Sequence, residues 1–380
     1  MISFQAQHSS KRKMSKTFFN ISAFFFFYFS IIGVWVIFLP KMLHDIAYTP
    51  AQIGIIFSIP PLMRFLTPFF FLKLFSLSQK VLHVTLIMML FCIPFLYLTI
   101  HDFALFALAN IFFGISFGLV LPYIETYALT VLAKERYGKA RLFGSIGFTI
   151  VALVLAQVFS NDIGLHFIAF NVILSAIFAY LISQDDSHFS NQTTHHDTPF
   201  SLKKHIPLWV SIFLMQVGFG AFYSFFTIYE TDHGISLETV SFLWSFGVLC
   251  EIVLFYYQAH IIKFNLLLLI KLTIMITAIR WMILYLFPDS LTLAYLSQSL
   301  HAFGFALYHT ATLSYLYELY TDKKLAAQFY YGFGFGLGGF IGSLVAGYFY
   351  GENLFLSASL ITFLALIIIV FNKREVNSLH

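Results

Sequence analysis

The chain has 380 residues, of which 59% are hydrophobic and only 10% are charged. Soluble domains carry about 25% charged residues, so this composition excludes an ordinary water-soluble enzyme or nucleic-acid-binding protein and predicts a protein that lies in lipid. The net charge of +4 is small, and the positions of the basic residues are therefore more informative than their sum.

Twelve apolar runs reach, or nearly reach, the length of about 20 residues that a membrane-spanning helix needs. They fall near 18–39, 52–73, 81–100, 103–131, 139–159, 163–183, 206–230, 237–261, 265–287, 291–320, 326–350 and 353–371. The first run is too long for the core of a signal peptide, and no small-residue cleavage site follows it. We therefore expect it to be retained as a span.

One long polar segment divides the twelve runs into two sets of six. The predicted parts are a cytoplasmic tail (1–16), a six-helix half (17–183), a cytoplasmic linker (184–204), a second six-helix half (205–372) and a cytoplasmic tail (373–380). The predicted fold class is an all-α membrane protein with twelve transmembrane helices in two pseudo-symmetric halves and both termini in the cytoplasm. Duplicated halves are a transporter architecture, with the substrate site between them near the middle of the membrane.

The basic residues agree with this arrangement. With both termini inside, 17 of the 21 Lys and Arg residues fall in cytoplasmic segments, and only Lys41 falls in an outer loop. This bias is the positive-inside signal, which we assign to a bacterial inner membrane. An error of one span would invert the alternation downstream, so the bias supports the number of spans as well as their orientation.

Several ionisable side chains lie inside the predicted helices, where each costs at least ~2.5–3.5 kcal/mol to insert. They are Arg64, Glu125, Arg141, Glu251, Arg280, His301 and His309. Arg64, Glu251 and Arg280 are too deep to reach an interface easily, so we expect them to face the bundle interior or a wet cavity. The alternative for each charged residue is a buried structural ion pair or a chain that extends to the interface. For the two histidines it is a hydrogen-bonded core position.

Glycines recur at a spacing of four in two predicted helices. Gly334, Gly338 and Gly342 form one such stripe, and Gly114 and Gly118 form another. Small residues at this spacing allow helix backbones to approach closely. The pattern fits static packing and a contact that slides during transport equally well.

The sequence predicts no cofactor, metal site or enzymatic centre. Cys92 and Cys250 both lie inside apolar runs, which argues against a disulfide or a metal pair. No nucleotide-binding loop is present, so ATP is not the expected energy source. The sequence has no recognisable catalytic pair of nucleophile and base, and we do not expect an enzyme.

Segments in both halves resemble the major facilitator superfamily, and in particular the phenylpropionate permease family and its relative lactose permease. In the first half, YGKARLFGSIGF at 137–148 and the upstream Glu125 are similar to the region of helices 4 and 5. The other similar segments are MRFL at 63–66, FLWSFGVLCE at 242–251, AIRW at 278–281 and LHAFGFALYH at 300–309, which resemble helices 2, 8, 9 and 10 of phenylpropionate permease.

The resemblance implies roles for individual residues. Glu125 and Arg141 match the sugar-binding pair of lactose permease. Glu251, Arg280 and His301 match its helix 8 glutamate, helix 9 arginine and helix 10 histidine.

Three positions depart from lactose permease. Its proton-carrying glutamate of helix 10 is Gly304 here, the lysine of that helix is Gln298, and the sugar-stacking tryptophan of helix 5 is Phe148. A galactoside is therefore not the expected substrate, and the proton route cannot be transferred unchanged.

These observations predict a secondary active transporter that takes up a small organic solute together with protons by alternating access. An organic acid is favoured, because Arg64, Arg141 and Arg280 can each hold a carboxylate through two parallel hydrogen bonds. Phe148 offers an aromatic substrate a stacking face. Glu125 or Glu251 is the expected proton carrier, with His301 and His309 as alternative relays.

Other functions remain open at this point. The same fold serves exporters of drugs or metabolites and symporters of sugars or nucleosides, and the sequence does not fix the direction of transport. The expected partners are the small-molecule substrate, protons and membrane lipid, with no nucleic acid, and we expect the chain to act as a monomer.

Overall fold

The computed structural model describes residues 2–74, 78–132, 134–184 and 202–372. Within these ranges the side chains of 2–14, 68–74, 134–135, 259 and 324 are not described. The α-helices are α1 (Ile2–Gly33), α2 (Leu39–Asp45), α3 (Pro50–Leu74), α4 (Gln79–Thr99), α5 (Phe103–Val131), α6 (Lys134–Val158), α7 (Asn161–Gln184), α8 (Ile206–Asp232), α9 (Leu237–Ile261), α10 (Leu266–Leu286), α11 (Leu291–Ala302), α12 (Tyr308–Leu319), α13 (Lys323–Phe329), α14 (Gly339–Tyr348) and α15 (Leu354–Val370).

Short segments of tighter or wider helix join some of these α-helices end to end. The π-helical segment Val34–Phe38 joins α1 to α2, Phe303–Leu307 joins α11 to α12, and Tyr330–Gly338 joins α13 to α14. A 3₁₀ turn, Lys203–His205, leads into α8. Single π-helical turns inside longer helices are often found at functional sites.

The all-helical class predicted from the sequence is confirmed. Among the described residues, nine helical segments are long and apolar enough to cross a membrane, and α15 is a shorter apolar helix. The predicted runs 52–73 and 291–320 coincide with α3 and with α11–α12, although neither is among the nine. The number of crossings and the cytoplasmic position of both termini stay predictions.

The first helix is longer than the predicted run 18–39. It begins at Ile2, inside the predicted tail, and continues through the π-helical segment to Asp45. Pro40 lies at the start of α2, directly after the π-helical segment, and such a wide turn is one way in which a helix accommodates the missing N–H and the ring of a proline. The helix therefore passes the proline, and Lys41 pairs with Asp45 one turn later.

Several helix starts carry a polar capping residue, as expected for chains that leave a loop and enter lipid. Asp102 accepts a hydrogen bond from the backbone N–H of Leu105 at 2.9 Å, and Ser236 accepts one from Thr239 at 3.2 Å. The other side-chain caps are Ser78, Asn265, Ser290 and Asp322.

The chain folds into two compact units. The first comprises Met1–Ile46 and Thr67–Thr193, and the second comprises Ala47–Leu66 and Thr194–His380. In the first unit α1 packs along α6 and α7, and α4 packs along α5. In the second, α8 packs against α14 and α15, α10 against α15, and α9 against α11.

Residues 47–66, at the start of α3, belong to the second unit and not to the half in which the sequence division placed them. Glycines on the π-helical segment and α14 explain this close packing. A Cβ atom at Gly54 would lie 3.0 Å from the Cα of Gly347, and one at Gly336 would lie 3.0 Å from the Cα of Phe65. Larger residues in place of these glycines would keep α3 away from the π-helical segment and α14.

The predicted glycine stripe 334–338–342 packs against α8. A Cβ atom at Gly342 would lie 2.6 Å from the carbonyl oxygen of Val217, and one at Gly338 would lie 2.9 Å from that of Phe213. The expectation of a close backbone approach is confirmed for this stripe. The same expectation is wrong for Gly118, because no described atom lies within 4 Å of a Cβ built there.

Candidate functional site

Arg280 on α10 is a deeply buried cation of the second unit, with no exposed surface. Its Nη1 lies 2.7 Å from Nδ1 of His301, its Nε donates to Oγ of Ser297 at 3.3 Å, and its Nη2 donates to Oε1 of Gln298 at 3.4 Å. All three partners lie on α11. Three nitrogens of the guanidinium are therefore held in a fixed orientation.

His301 links this arginine to a carboxylate. Its Nε2 lies 2.8 Å from Oε1 of Glu251 on α9. A guanidinium can only donate, so Nδ1 of His301 must accept from Arg280, and the proton of the neutral imidazole is then on Nε2, where it donates to Glu251. Glu251, His301 and Arg280 form a chain that we call the charge chain, with a carboxylate at one end and a guanidinium at the other.

Aromatic rings enclose the cationic end of the charge chain. The guanidinium carbon of Arg280 lies 4.4 Å from the ring centroid of Phe222 and 4.2 Å from that of Trp281. The ring of Phe222 is also 5.0 Å from the imidazole of His301. Ring faces attract a desolvated cation, so these rings replace part of the hydration that Arg280 loses.

Tyr223 and Arg64 lie near the charge chain. The half-buried Tyr223 on α8 is within electrostatic range of Glu251, Arg280 and Arg64. Arg64 is exposed and lies on the part of α3 that belongs to the second unit. The structure therefore brings Arg64, Glu251, Arg280 and His301 into one region, in which Arg64 is the accessible cation.

The structure explains why a glutamate is absent at position 304. A Cβ atom at Gly304 would collide with Oγ1 of Thr277 on α10, so a larger residue fits only if the Thr277 side chain turns away or the two helices separate. Gln298 occupies the position that matches the helix 10 lysine of lactose permease, and its Oε1 accepts a hydrogen bond from Arg280. The neutral amide avoids a second positive charge beside the guanidinium.

His309 lies apart from the charge chain, in an aromatic cluster. It is half-buried, and its Nδ1 and Nε2 each lie 3.3 Å from a hydroxyl oxygen, of Tyr330 and Tyr331 respectively. Phe305 lies between the two histidines, with its ring stacked on His301 at 5.5 Å and on His309 at 6.5 Å. The structure does not bring His309 into contact with Arg280.

The first unit contains the other predicted ion pair. Nε of Arg141 on α6 lies 3.4 Å from Oε1 of Glu125 on α5, and the two side chains are 35% and 32% exposed. The guanidinium carbon of Arg141 lies 3.8 Å from the ring centroid of Phe29 and 5.4 Å from that of Phe25. The pair is thus accessible and backed by aromatic rings.

Phe148, two turns beyond Arg141 on α6, is buried at 8% exposure. Its ring carbon Cδ2 would lie 3.4 Å from a Cβ atom at Gly33 on α1. Its role as a stacking face for a substrate stays a prediction.

Sequence reasoning missed two polar groups of the second unit. Ser297 holds Nε of Arg280, but a serine within an apolar helix gave no signal. Glu230 is fully buried near the end of α8. The predicted run 206–230 ends on this residue, so its position in the sequence resembles that of an interfacial carboxylate. An acidic residue that directly follows the apolar sequence FFTIY was the available signal.

Comparison with known proteins places this sequence in a family. The MFS_1 like family matches residues 18–363 of the chain. The "Uncharacterized transporter YwbF" of Bacillus subtilis (strain 168) is 26% identical over 336 residues, which cover 84% of this chain and 82% of that protein. The "Probable 3-phenylpropionic acid transporter" of Escherichia coli (strain K12) is 26% identical over 245 residues, covering 61% and 64%.

The fold has solved relatives. The crystal structure of the nucleoside transporter NupG superposes with a TM-score of 0.73 at 15% sequence identity, covering 93% of this chain and 97% of that one. At this identity the likeness concerns the fold alone. The resemblance to the phenylpropionate permease family that the sequence motifs indicated is confirmed at the level of the family and of its transporter relatives.

Proposed function

The chain belongs to the MFS_1 like family and is a multi-pass membrane transporter, and we propose that it takes up a small organic acid together with protons by alternating access. Its proposed place is a bacterial inner membrane, where it acts as a monomer. The favoured solute carries a carboxylate and an apolar or aromatic body.

The charge chain is the observation that carries this proposal. Ionisable groups inside a membrane protein are costly and mark substrate or ion pathways. A structural ion pair needs only two partners, whereas Arg280 is held by a histidine, a serine and an amide, and the histidine links it to the carboxylate of Glu251. A contact between two charges that runs through a neutral side chain is broken when that side chain moves. A carrier needs such a contact, because its site must rearrange in each transport cycle.

Proton coupling follows from the charge balance of the chain. With His301 neutral, the negative charge of Glu251 balances the positive charge of Arg280. When Glu251 takes up a proton, Arg280 is left unbalanced in an apolar site, and a carboxylate of the substrate restores neutrality. Binding of the proton therefore favours binding of the organic anion, and the reverse. Either one bound alone leaves the site with an unbalanced charge.

The remaining predicted residues have supporting roles in this proposal. Arg64 is exposed and supplies an accessible positive charge that attracts the anion. Glu125 and Arg141 form a second, more accessible ion pair that binds the polar end of the solute or carries the proton in place of Glu251. Phe148 stacks on an aromatic body, and His309 serves as an alternative proton relay.

Nucleoside or sugar uptake is the alternative within the same fold, and export is the alternative in direction. The hydroxyl of Ser297 and the amide of Gln298 beside Arg280 are groups that also bind neutral polyhydroxy compounds. Accumulation of a solute in cells that lack the protein would indicate export.

The test is uptake into proteoliposomes with an imposed pH gradient, using labelled aromatic acids, aliphatic acids, nucleosides and sugars. We expect an organic acid to accumulate only when the outside is acidic. Arg280→Gln and Glu251→Gln should each lower this uptake at least tenfold, whereas Lys271→Gln, which removes a half-buried cation from the same helix as Arg280, should not.

Two results would contradict the proposal. Equal accumulation of the acid with and without the gradient would remove proton coupling. Undiminished uptake by both Arg280→Gln and Glu251→Gln would show that the charge chain is structural.

A further inference from the structure

The second unit contains a carboxyl group that the charge chain does not use. Glu230 lies in the last turn of α8 (Ile206–Asp232) and has no exposed surface. Neither of its side-chain oxygens has a hydrogen-bond partner among the described residues. Of the carboxylates in the described part of the chain, it alone combines complete burial with unpartnered oxygens.

Its surroundings oppose a negative charge in three ways. An ionised carboxylate that is buried without partners is so costly that the group becomes neutral instead. The C-terminal turn of a helix carries the negative end of the helix dipole, which disfavours an anion there. The adjacent residues on α8, Thr227, Ile228 and Tyr229, are themselves buried, so the turn that precedes Glu230 is enclosed by protein.

The charged and titratable groups described at this end of the unit do not supply a counter-ion. They are Tyr229 and Asp232 on α8, His233 directly after it, Tyr285 on α10, Asp289 in the loop after α10, Tyr350 before α15, and Glu238 at the start of α9. Several of them already have partners: Asp232 accepts a hydrogen bond from Tyr350, Nδ1 of His233 lies 2.7 Å from the carbonyl oxygen of Tyr229, and the hydroxyl of Tyr229 donates to the carbonyl oxygen of Leu284 at 3.1 Å. The acids among them cannot balance a negative charge on Glu230.

We propose that Glu230 is a second proton-binding site of this transporter, distinct from the charge chain. In this conformation the side chain is a neutral carboxylic acid. A conformation that admits water to the end of α8 lets the acid release its proton to that water and lets the carboxylate take one up again. A metal ion does not fit, because such ions need several oxygen ligands and the described residues bring no hydrogen-bonding partner to the Glu230 oxygens.

The binding of the proton is tested without any substrate. Infrared spectra of the purified protein at neutral pH should contain the carbonyl stretch of a protonated carboxyl, shifted by deuterium exchange. This band should be lost in Glu230→Gln and kept in Glu238→Gln, a change to an exposed carboxylate at the start of α9. Loss of an ionised-carboxylate band in Glu230→Gln, with the protonated band unchanged, would overturn the proposal.

Thermal unfolding separates this site from a structural ion pair. Replacement of an unpartnered buried acid by an apolar residue removes a desolvation cost, so Glu230→Leu should unfold at the same or a higher temperature than wild type. A marked fall in the unfolding temperature of Glu230→Leu, together with that of Glu230→Gln, would indicate a hidden partner and contradict the proposal.

A role of Glu230 in coupling rests on the proposed function and has its own readout. Glu230→Gln should lose at least tenfold in uptake driven by a pH gradient and keep exchange of labelled for unlabelled solute at equal pH. Wild-type gradient dependence in Glu230→Gln would end this role. If wild type itself shows no gradient dependence, the proposed function fails while the infrared result still decides whether Glu230 binds a proton.

Discussion

The side chains of the charge chain come from three different helices, and their contacts decide how each can act. The sequence identified Glu251, Arg280 and His301 as ions or ligands inside helices, because any such residue in an apolar run is conspicuous. It did not predict that they touch, because the rotation and tilt of α9, α10 and α11 relative to each other are set by packing. For the same reason His309, two turns from His301, was grouped with it but lies in an aromatic cluster.

A double-mutant cycle tests whether these contacts are energetically coupled. Glu251→Gln leaves the buried charge of Arg280 without this counter-charge, and Arg280→Gln removes the cation that balances the partly exposed Glu251; loss of one partner of a buried pair costs about 3 kcal/mol. The double variant removes both charges, so its loss of stability should be well below the sum of the two single losses. Chemical unfolding in detergent micelles measures this, and strictly additive losses would show that the two charges do not interact.

At the scale of helices, glycine decides how closely backbones approach. A Cβ atom at Gly220 on α8 would collide with the backbone of Gly342 on α14. Rotation of a side chain cannot relieve this collision, because the contacted atoms belong to the backbone. The sequence predicted the stripe on the second of these helices but not its partner on α8, nor the second glycine face that packs against α3. These partners depend on tertiary contacts that a spacing of four residues does not specify.

Alanine substitutions at matched glycines test this packing. Gly220→Ala should destabilise the protein by about 1–3 kcal/mol through overpacking. Gly118→Ala should be neutral or stabilising, because no described atom lies within 4 Å of the added Cβ and alanine favours helix by up to about 1 kcal/mol. Unfolding temperatures of the two variants check the difference, and an equal effect at both sites would contradict the packing described here.

At the scale of the whole molecule, composition and the apolar runs predicted an all-helical membrane protein, and the duplicated halves, the charges inside helices and the family resemblance predicted a transporter. The boundary between its compact units was not predicted, because residues 47–66 join the second unit through contacts distant in sequence. The fold is shared with transporters of unlike solutes, so the function depends on the residues of the site and not on the architecture.

The central claim is that protons enter together with an organic acid through the charge chain. The most direct measurement is the pH of a weakly buffered medium when substrate is added to cells or proteoliposomes without an imposed gradient. The account predicts that the medium becomes more alkaline as substrate enters, and that Arg280→Gln abolishes this change. Entry of the substrate through the wild-type protein with no change of external pH would contradict this account.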